Sequence, residues 1–150
     1  MAKLIIVVGL PGAGKSYYLD NHTEVRSLAR DHVVHDFHSG AIGDLSAPEM
    51  SQHFQRLVLA LHHGEDCAIA DVAFCSGDRL AALKRAFQAC LSDVELDVRY
   101  FANDREACRY NIERDAETSG RELDPRLERL EEFAAMYAPP NGMCVKRTRS

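Results

Sequence analysis

The sequence contains no tryptophan, and aromatic residues make up only 7% of its 150 residues. It also has no long apolar run. The longest stretches, such as Leu4 to Val8 and Leu57 to Leu61, fall far short of the roughly 20 residues needed to span a bilayer, so no membrane partner is expected. There is no excess of positive charge: Lys plus Arg is 18 against 23 Asp plus Glu, a net charge of −5. That balance argues against a general binder of nucleic-acid backbone or anionic lipid. Paired C-x-x-C cysteines are missing too. The five cysteines, at 67, 75, 90, 108 and 144, are odd in number and irregularly spaced, the pattern of reduced thiols. Met1-Ala2-Lys3 runs straight into an apolar segment without a cleavage-site pattern, so the expected location is cytoplasmic. No internal repeat or low-complexity segment interrupts the chain, and its length suggests a single domain over residues 1–150.

A hydrophobic fraction of 46% and a charged fraction of 27% describe a globular chain with one ordinary core. Charge is unevenly spread. Residues 1–75 hold 5 basic and 9 acidic side chains, and residues 76–150 hold 13 and 14. Seven arginines fall between Arg99 and Arg129, so the local field there is expected to be more positive than the whole.

The pattern alternates strands and helices. Lys3 to Val8 is almost continuously apolar and β-branched, which suits a central parallel strand covered on both faces. A Gly/Pro loop follows, then a helix from Lys15 to about Asn21. His32–Asp36 is a short strand, and 38–45 a loop. Ser46 and Glu49 read as a capping box, with Pro48 in the first turn of a helix that Gly64 ends. Cys67–Asp71 is a second buried strand. Leu80, Leu83, Phe87 and Leu91 mark a helix. Residues 94–100 alternate apolar and charged, as in a strand nearer a sheet edge. Asn103 and Glu106 read as a capping box opening a helix to about Glu117. Asp124-Pro125 starts another helix, Pro139-Pro140 stops it, and 143–146 is a last short strand. Such alternation implies an α/β fold: a three-layer sandwich with a five-stranded parallel sheet in the order 2-3-1-4-5 and helices on both faces. Ligands in such folds sit at the carboxyl ends of the strands.

Three features fall at those ends: the 9–16 loop, Asp36 and Asp71. The loop, Gly9-Leu-Pro-Gly-Ala-Gly-Lys-Ser16, matches G-x-x-x-x-G-K-[ST] at every specified position between a buried strand and a helix. Small residues there let backbone N–H groups close around phosphate oxygens, and the helix N-terminus favours the same anion. Gly9, Pro11, Gly12, Ala13, Gly14, Lys15, Ser16 and Tyr17 are therefore the candidate nucleotide-binding residues. Lys15 would reach the outer phosphates, and the Ser16 hydroxyl would hold Mg²⁺. Asp71 has the position of a Walker B carboxylate and is the second candidate metal residue. Asp36 suits the acceptance of a proton from an acceptor hydroxyl. Arg109, Arg114 and Arg121 offer planar cations to a transferring phosphoryl group, although each also has a carboxylate near enough in sequence for an ordinary surface ion pair. His32, His35 and His38 do not make a zinc site, because a spacing of three puts strand neighbours on opposite faces. A regulatory GTPase would carry an [NT]-K-x-D motif, absent here, and a large ATPase motor is disfavoured by size.

The residues resemble the P-loop kinase domains related to polynucleotide 5′-hydroxyl kinase, zeta-toxin and chloramphenicol phosphotransferase. The resemblance is carried by 4–16, by Val-Val-His-Asp at 33–36, by 68–80, by the arginine-containing helix at 104–115 and by the helix-and-proline segment at 125–140. It implies that Lys15, Asp36 and Arg114 are catalytic. Asp36 would activate the acceptor, and Arg114 would be the lid arginine on the transferring phosphate, with Arg109 and Arg121 as neighbouring nucleotide contacts. The implied activity is Mg²⁺-assisted transfer of the ATP γ-phosphoryl group to a hydroxyl of an unidentified acceptor, a small molecule or a nucleic-acid 5′-OH. The polynucleotide kinase pattern has an arginine shortly after the aspartate, whereas Phe37-His38-Ser39 follows Asp36. A nucleic-acid acceptor is thus compatible but not favoured. The alternative is a nucleotide-binding regulator or slow ATPase without a phosphoryl acceptor.

Overall fold

The computed structural model describes residues 2–15, 17–18, 34–37, 48–119 and 123–146; at 34–37, 48–53, 71–73 and 118–119 it describes the backbone alone. Strand β1, Lys3–Val8, is the hub. From Leu4 to Val8 each residue is at most 1% exposed, so both faces of the strand are covered, as its unbroken apolar run requires. Burying each such side chain contributes about 1.5–3 kcal/mol. Strands β2 (Val34–Phe37), β3 (Cys67–Asp71) and β4 (Glu95–Tyr100) complete a sheet in the order β2-β3-β1-β4. All pairings are parallel. The alternating strand lies at the end of that order; Glu95 is exposed and the rest of its residues are only partly buried.

The expected fifth strand is a correction. Among the described residues the sheet has four strands, and the terminal segment contributes one isolated parallel bridge, Phe101 to Met143. The Met143 amide donates to Tyr100 O and its carbonyl accepts from Ala102 N, both at 2.8 Å. Three residues on, the Lys146 carbonyl accepts from the Asn111 side chain. The segment therefore turns from the sheet toward a helix before a ladder can extend.

Besides the helical turn at Lys15, the described residues hold four helices: α1 (Pro48–His62), α2 (Gly77–Cys90), α3 (Arg105–Ser119) and α4 (Asp124–Met136). A short 3₁₀ turn at Val72–Cys75, not foreseen from the pattern, links β3 to α2. Helix α1 ends as its sequence suggests, with Glu65 N donating to Ala60 O at 2.9 Å and Gly64 N to Leu61 O at 3.0 Å, the paired bonds of a Schellman motif. Helices α1 and α2 meet through Phe54 and Phe87, whose ring centroids are 4.8 Å apart. Helices α3 and α4 are joined by Arg126–Asp115 at 2.6 Å and Arg105–Glu131 at 3.3 Å.

The start of α3 corrects another expectation. Its cap is Asp104, whose Oδ1 accepts from Ala107 N at 3.0 Å; Asn103 does not form the box with Glu106. The Asn103 amide instead donates to the Ala134 and Tyr137 carbonyls at 3.1 and 2.8 Å, satisfying the C-terminal end of α4. The Ser46 cap and the 38–47 loop lie outside the described residues, as does most of the helix expected after Lys15.

Candidate functional site

The loop after β1 is built from its own backbone. Ala13 N donates to Leu10 O at 3.0 Å, and Tyr18 N donates to Gly14 O at 2.9 Å, which opens the helical turn carrying Lys15. Gly12 and Gly14 have φ of +81° and +100°, values that L side chains rarely tolerate. The two glycines face different surroundings. A Cβ at Gly12 would lie 2.5 Å from the Cys108 carbonyl oxygen, whereas one at Gly14 would meet nothing within 4 Å among the described residues. Gly12 lets α3 press against the loop. Among the described residues the space beside Gly14 is open, the room phosphate oxygens need to approach the backbone, and the loop fits a nucleotide phosphate. Lys15 is 8% exposed, and its ammonium donates to the carbonyls of Gly9 and Leu10, each at 2.9 Å. The cation is held inside the loop by backbone oxygens, as a buried charge must be.

Beneath the loop, α3 presents Cys108, Asn111 and Ile112, all buried. Burial pushes the Cys108 thiol up to about 12, against the opposing pull of the nearby Lys15 charge; this thiol stays protonated and is no nucleophile. The Asn111 amide donates to Gly12 O at 2.9 Å and to Lys146 O at 2.9 Å. Tyr137, just past α4, donates its hydroxyl to Phe101 O and also lies 3.4 Å from Val8 O. That side chain spans the carboxyl ends of β1 and β4 where the loop begins, and burial raises its pKa.

On the other flank, Tyr18 packs edge-on against Phe101 with centroids 5.9 Å apart, and its hydroxyl accepts from Arg99 at 2.8 Å. Arg99 also bonds Asp97 Oδ2 at 2.9 Å, and Lys3 approaches the same oxygen at 3.3 Å. The Arg99 guanidinium, with help from Lys3 and against partial burial, holds the Asp97 carboxyl below its usual range. These β4 charges tie the helical turn after the loop to the sheet.

The strand register sets the rim. Asp36 is level with Ala70, and Ala70 with Val7; Phe37 is level with Asp71. The backbones at 36 and 71 thus stand at the sheet edge from which the loop springs. Ser16 and Arg121 lie outside the described residues, and the side chains of Asp36 and Asp71 are not described. Tyr17 is exposed on the first helical turn.

The two described candidate arginines are not brought together. Arg109 is 58% exposed and pairs with Glu113 at 2.9 Å. Arg114 lies over the Tyr110 ring, 5.9 Å from its centroid, and 4.0 Å from Glu117. They occupy different flanks of α3. The pattern reading missed Asn111, Asp104 and Tyr137. Asn111 did leave a signal, a polar residue on the same helical face as Cys108 and Ile112.

Among the described residues, no helix is long and apolar enough to cross a membrane. No curated protein matches the chain. The profile of the AAA domain family matches residues 4–140, from the second residue of β1 to beyond α4. With the loop, the parallel sheet and that match in agreement, the chain belongs to the AAA domain family, a P-loop NTPase-like family that includes kinases.

Proposed function

We propose that this protein is a single-domain, cytoplasmic kinase that transfers the γ-phosphoryl group of ATP to a hydroxyl of an acceptor, with Mg²⁺, in the branch resembling polynucleotide 5′-hydroxyl kinase, zeta-toxin and chloramphenicol phosphotransferase. One observation carries the reading: a glycine loop shaped for phosphates shares a sheet edge with the strand-end backbones of Asp36 and Asp71. Phosphoryl transfer needs positioning and charge stabilisation more than covalent chemistry, and this edge supplies candidates for both. Backbone N–H groups of the loop bind the phosphates, joined by Lys15, which exchanges its carbonyl partners for phosphate oxygens. Ser16 and Asp71 would hold Mg²⁺, which offsets phosphate charge when bound. Asp36 accepts the proton of the acceptor hydroxyl, and Arg114, with Arg109 and Arg121 as further contacts, meets the spread-out phosphoryl charge. The acidic net charge and the lack of an arginine directly after Asp36 favour a small hydroxyl-bearing acceptor over a nucleic-acid 5′-OH.

A second reading, a nucleotide-binding regulator or slow ATPase, is favoured by the pairing of Arg109 and Arg114 with glutamates of their own helix. The test that separates them is a product-detecting screen with labelled ATP against oligonucleotides, nucleosides, sugars and antibiotics, followed by two variants. Lys15→Ala is expected to cost about 2–5 kcal/mol of ATP binding by calorimetry, as for a desolvated charge pair that loses one partner. Asp36→Asn is expected to leave ATP affinity nearly intact and to lower transfer roughly 10²–10⁴-fold. Wild-type turnover in Asp36→Asn would remove Asp36 as the base. A screen without product, with slow hydrolysis indifferent to Asp36, would make the regulator the better reading.

A further inference from the structure

Among the described residues, Asn111 and Lys15 are buried polar side chains, and Tyr137 with its hydroxyl is buried too. Lys15 belongs to the loop itself, but Asn111 comes from the middle of α3, on a face otherwise apolar. A side-chain carboxamide has two N–H donors in one plane. At Asn111 both meet main-chain carbonyls, Gly12 O and Lys146 O, each at 2.9 Å. The amide cannot be turned over, since its oxygen would then face two carbonyl oxygens. We propose that Asn111 is a positioning residue that couples the segment after α4 to the phosphate-binding loop, so that the loop's grip on nucleotide phosphates depends on the far end of the chain.

The geometry gives the coupling its direction. Gly12 O accepts from Asn111, while Ala13 N, the other end of the same peptide plane, donates to Leu10 O at 3.0 Å. That plane is held at both ends, and it immediately precedes Gly14 and Lys15, whose backbone must face the phosphates. The far partner is held as well. Met143 is bonded to Tyr100 and Ala102, and Val145 is buried, so the Lys146 carbonyl is a fixed point. Because the amide is planar, losing one acceptor frees the group to rotate and loosens the other bond. An apolar residue at 111 would take the donor from both carbonyls and remove the link between them.

The inference rests on the nucleotide-binding reading, and the experiment separates the two. Asn111→Asp and Asn111→Ala are compared with wild type for binding of ADP and of AMP, which lacks the β-phosphate, with folding checked by circular dichroism. Folded variants are expected to lose about tenfold in ADP affinity, the scale of one hydrogen bond in a desolvated site, with a smaller loss for AMP. A merely structural role would lower the melting temperature without splitting ADP from AMP. Folded variants that bind ADP like wild type, or lose both nucleotides equally, overturn the coupling. If neither variant folds, NMR of the wild type decides: ADP must shift both the Asn111 side-chain amide and the Lys146 backbone amide, and unmoved signals overturn the proposal. A wild type that binds neither ADP nor ATP removes the nucleotide reading and this inference with it.

Discussion

Helix α3 has two sides with opposite polar chemistry. Toward the loop it buries one amide, Asn111, whose two donors meet two backbone carbonyls. Toward solvent it carries charged residues in pairs along or between helices, Arg109 with Glu113 and Arg105 with Glu131, all at least 45% exposed. The charged side is the more conspicuous in the sequence, but water screens its pairs, and each contributes little. The buried side has a single carboxamide, yet removing it would take the donor from two main-chain carbonyls at once. Burial, not charge count, decides which side of this helix shapes the site.

The sharpest way to break that comparison is to crowd the buried side. Gly12→Ala combines a disfavoured φ with a Cβ 2.5 Å from the Cys108 carbonyl and is expected to cost about 3 kcal/mol of stability. Gly14→Ala shares the backbone strain but meets nothing within 4 Å among the described residues, so urea denaturation should show a smaller loss. Equal losses would mean that contact with α3 does not constrain the loop.

A second effect uses pH. Burial raises the Cys108 and Cys67 thiols from 9.0 to about 12. The folded state therefore keeps protons that the unfolded chain releases. This contribution is fully present below pH 9 and is lost as pH rises from about 9 toward 12. Denaturation midpoints should fall over that window, and less steeply in Cys108→Ala; an identical slope in the variant would show that Cys108 is not the group responsible.

The smallest effect belongs to the charged side. Glu113→Gln and Glu131→Gln are each expected to change stability by less than about 0.5 kcal/mol. A loss near that of Gly12→Ala, measured under the same conditions, would reverse the ranking of the two sides.

Much of this was legible in order along the chain. The apolar β-branched run of β1, the alternation of β4, the Gly64 helix stop and the loop from Gly9 to Lys15 all declare themselves through side chains within a few positions of one another. Their physics is local: period, φ and the reach of backbone donors. The errors have a common cause in competing partners. Asn103 and Asp104 are both good caps by type, and only the position of α4 assigned Asn103 to its carbonyls and left α3 to Asp104. Likewise, 143–146 has strand-like composition, but its ladder ends after one bridge, and three residues on the Lys146 carbonyl is bonded to Asn111 of α3.

Sequence alone was sufficient for the phosphate loop, because its glycines, its lysine and its backbone turns lie within its own few residues, and for the family of the fold, because apolar periodicity specifies alternating strands and helices. Tertiary structure was needed to bring the backbones of Asp36 and Asp71 level with the end of β1 and to give Asn111 its two partners. Those outcomes depend on register and packing between segments distant in the chain, such as Gly12, Asn111 and Lys146. The chain's own order holds no distance between them until the sheet and helices close around one core.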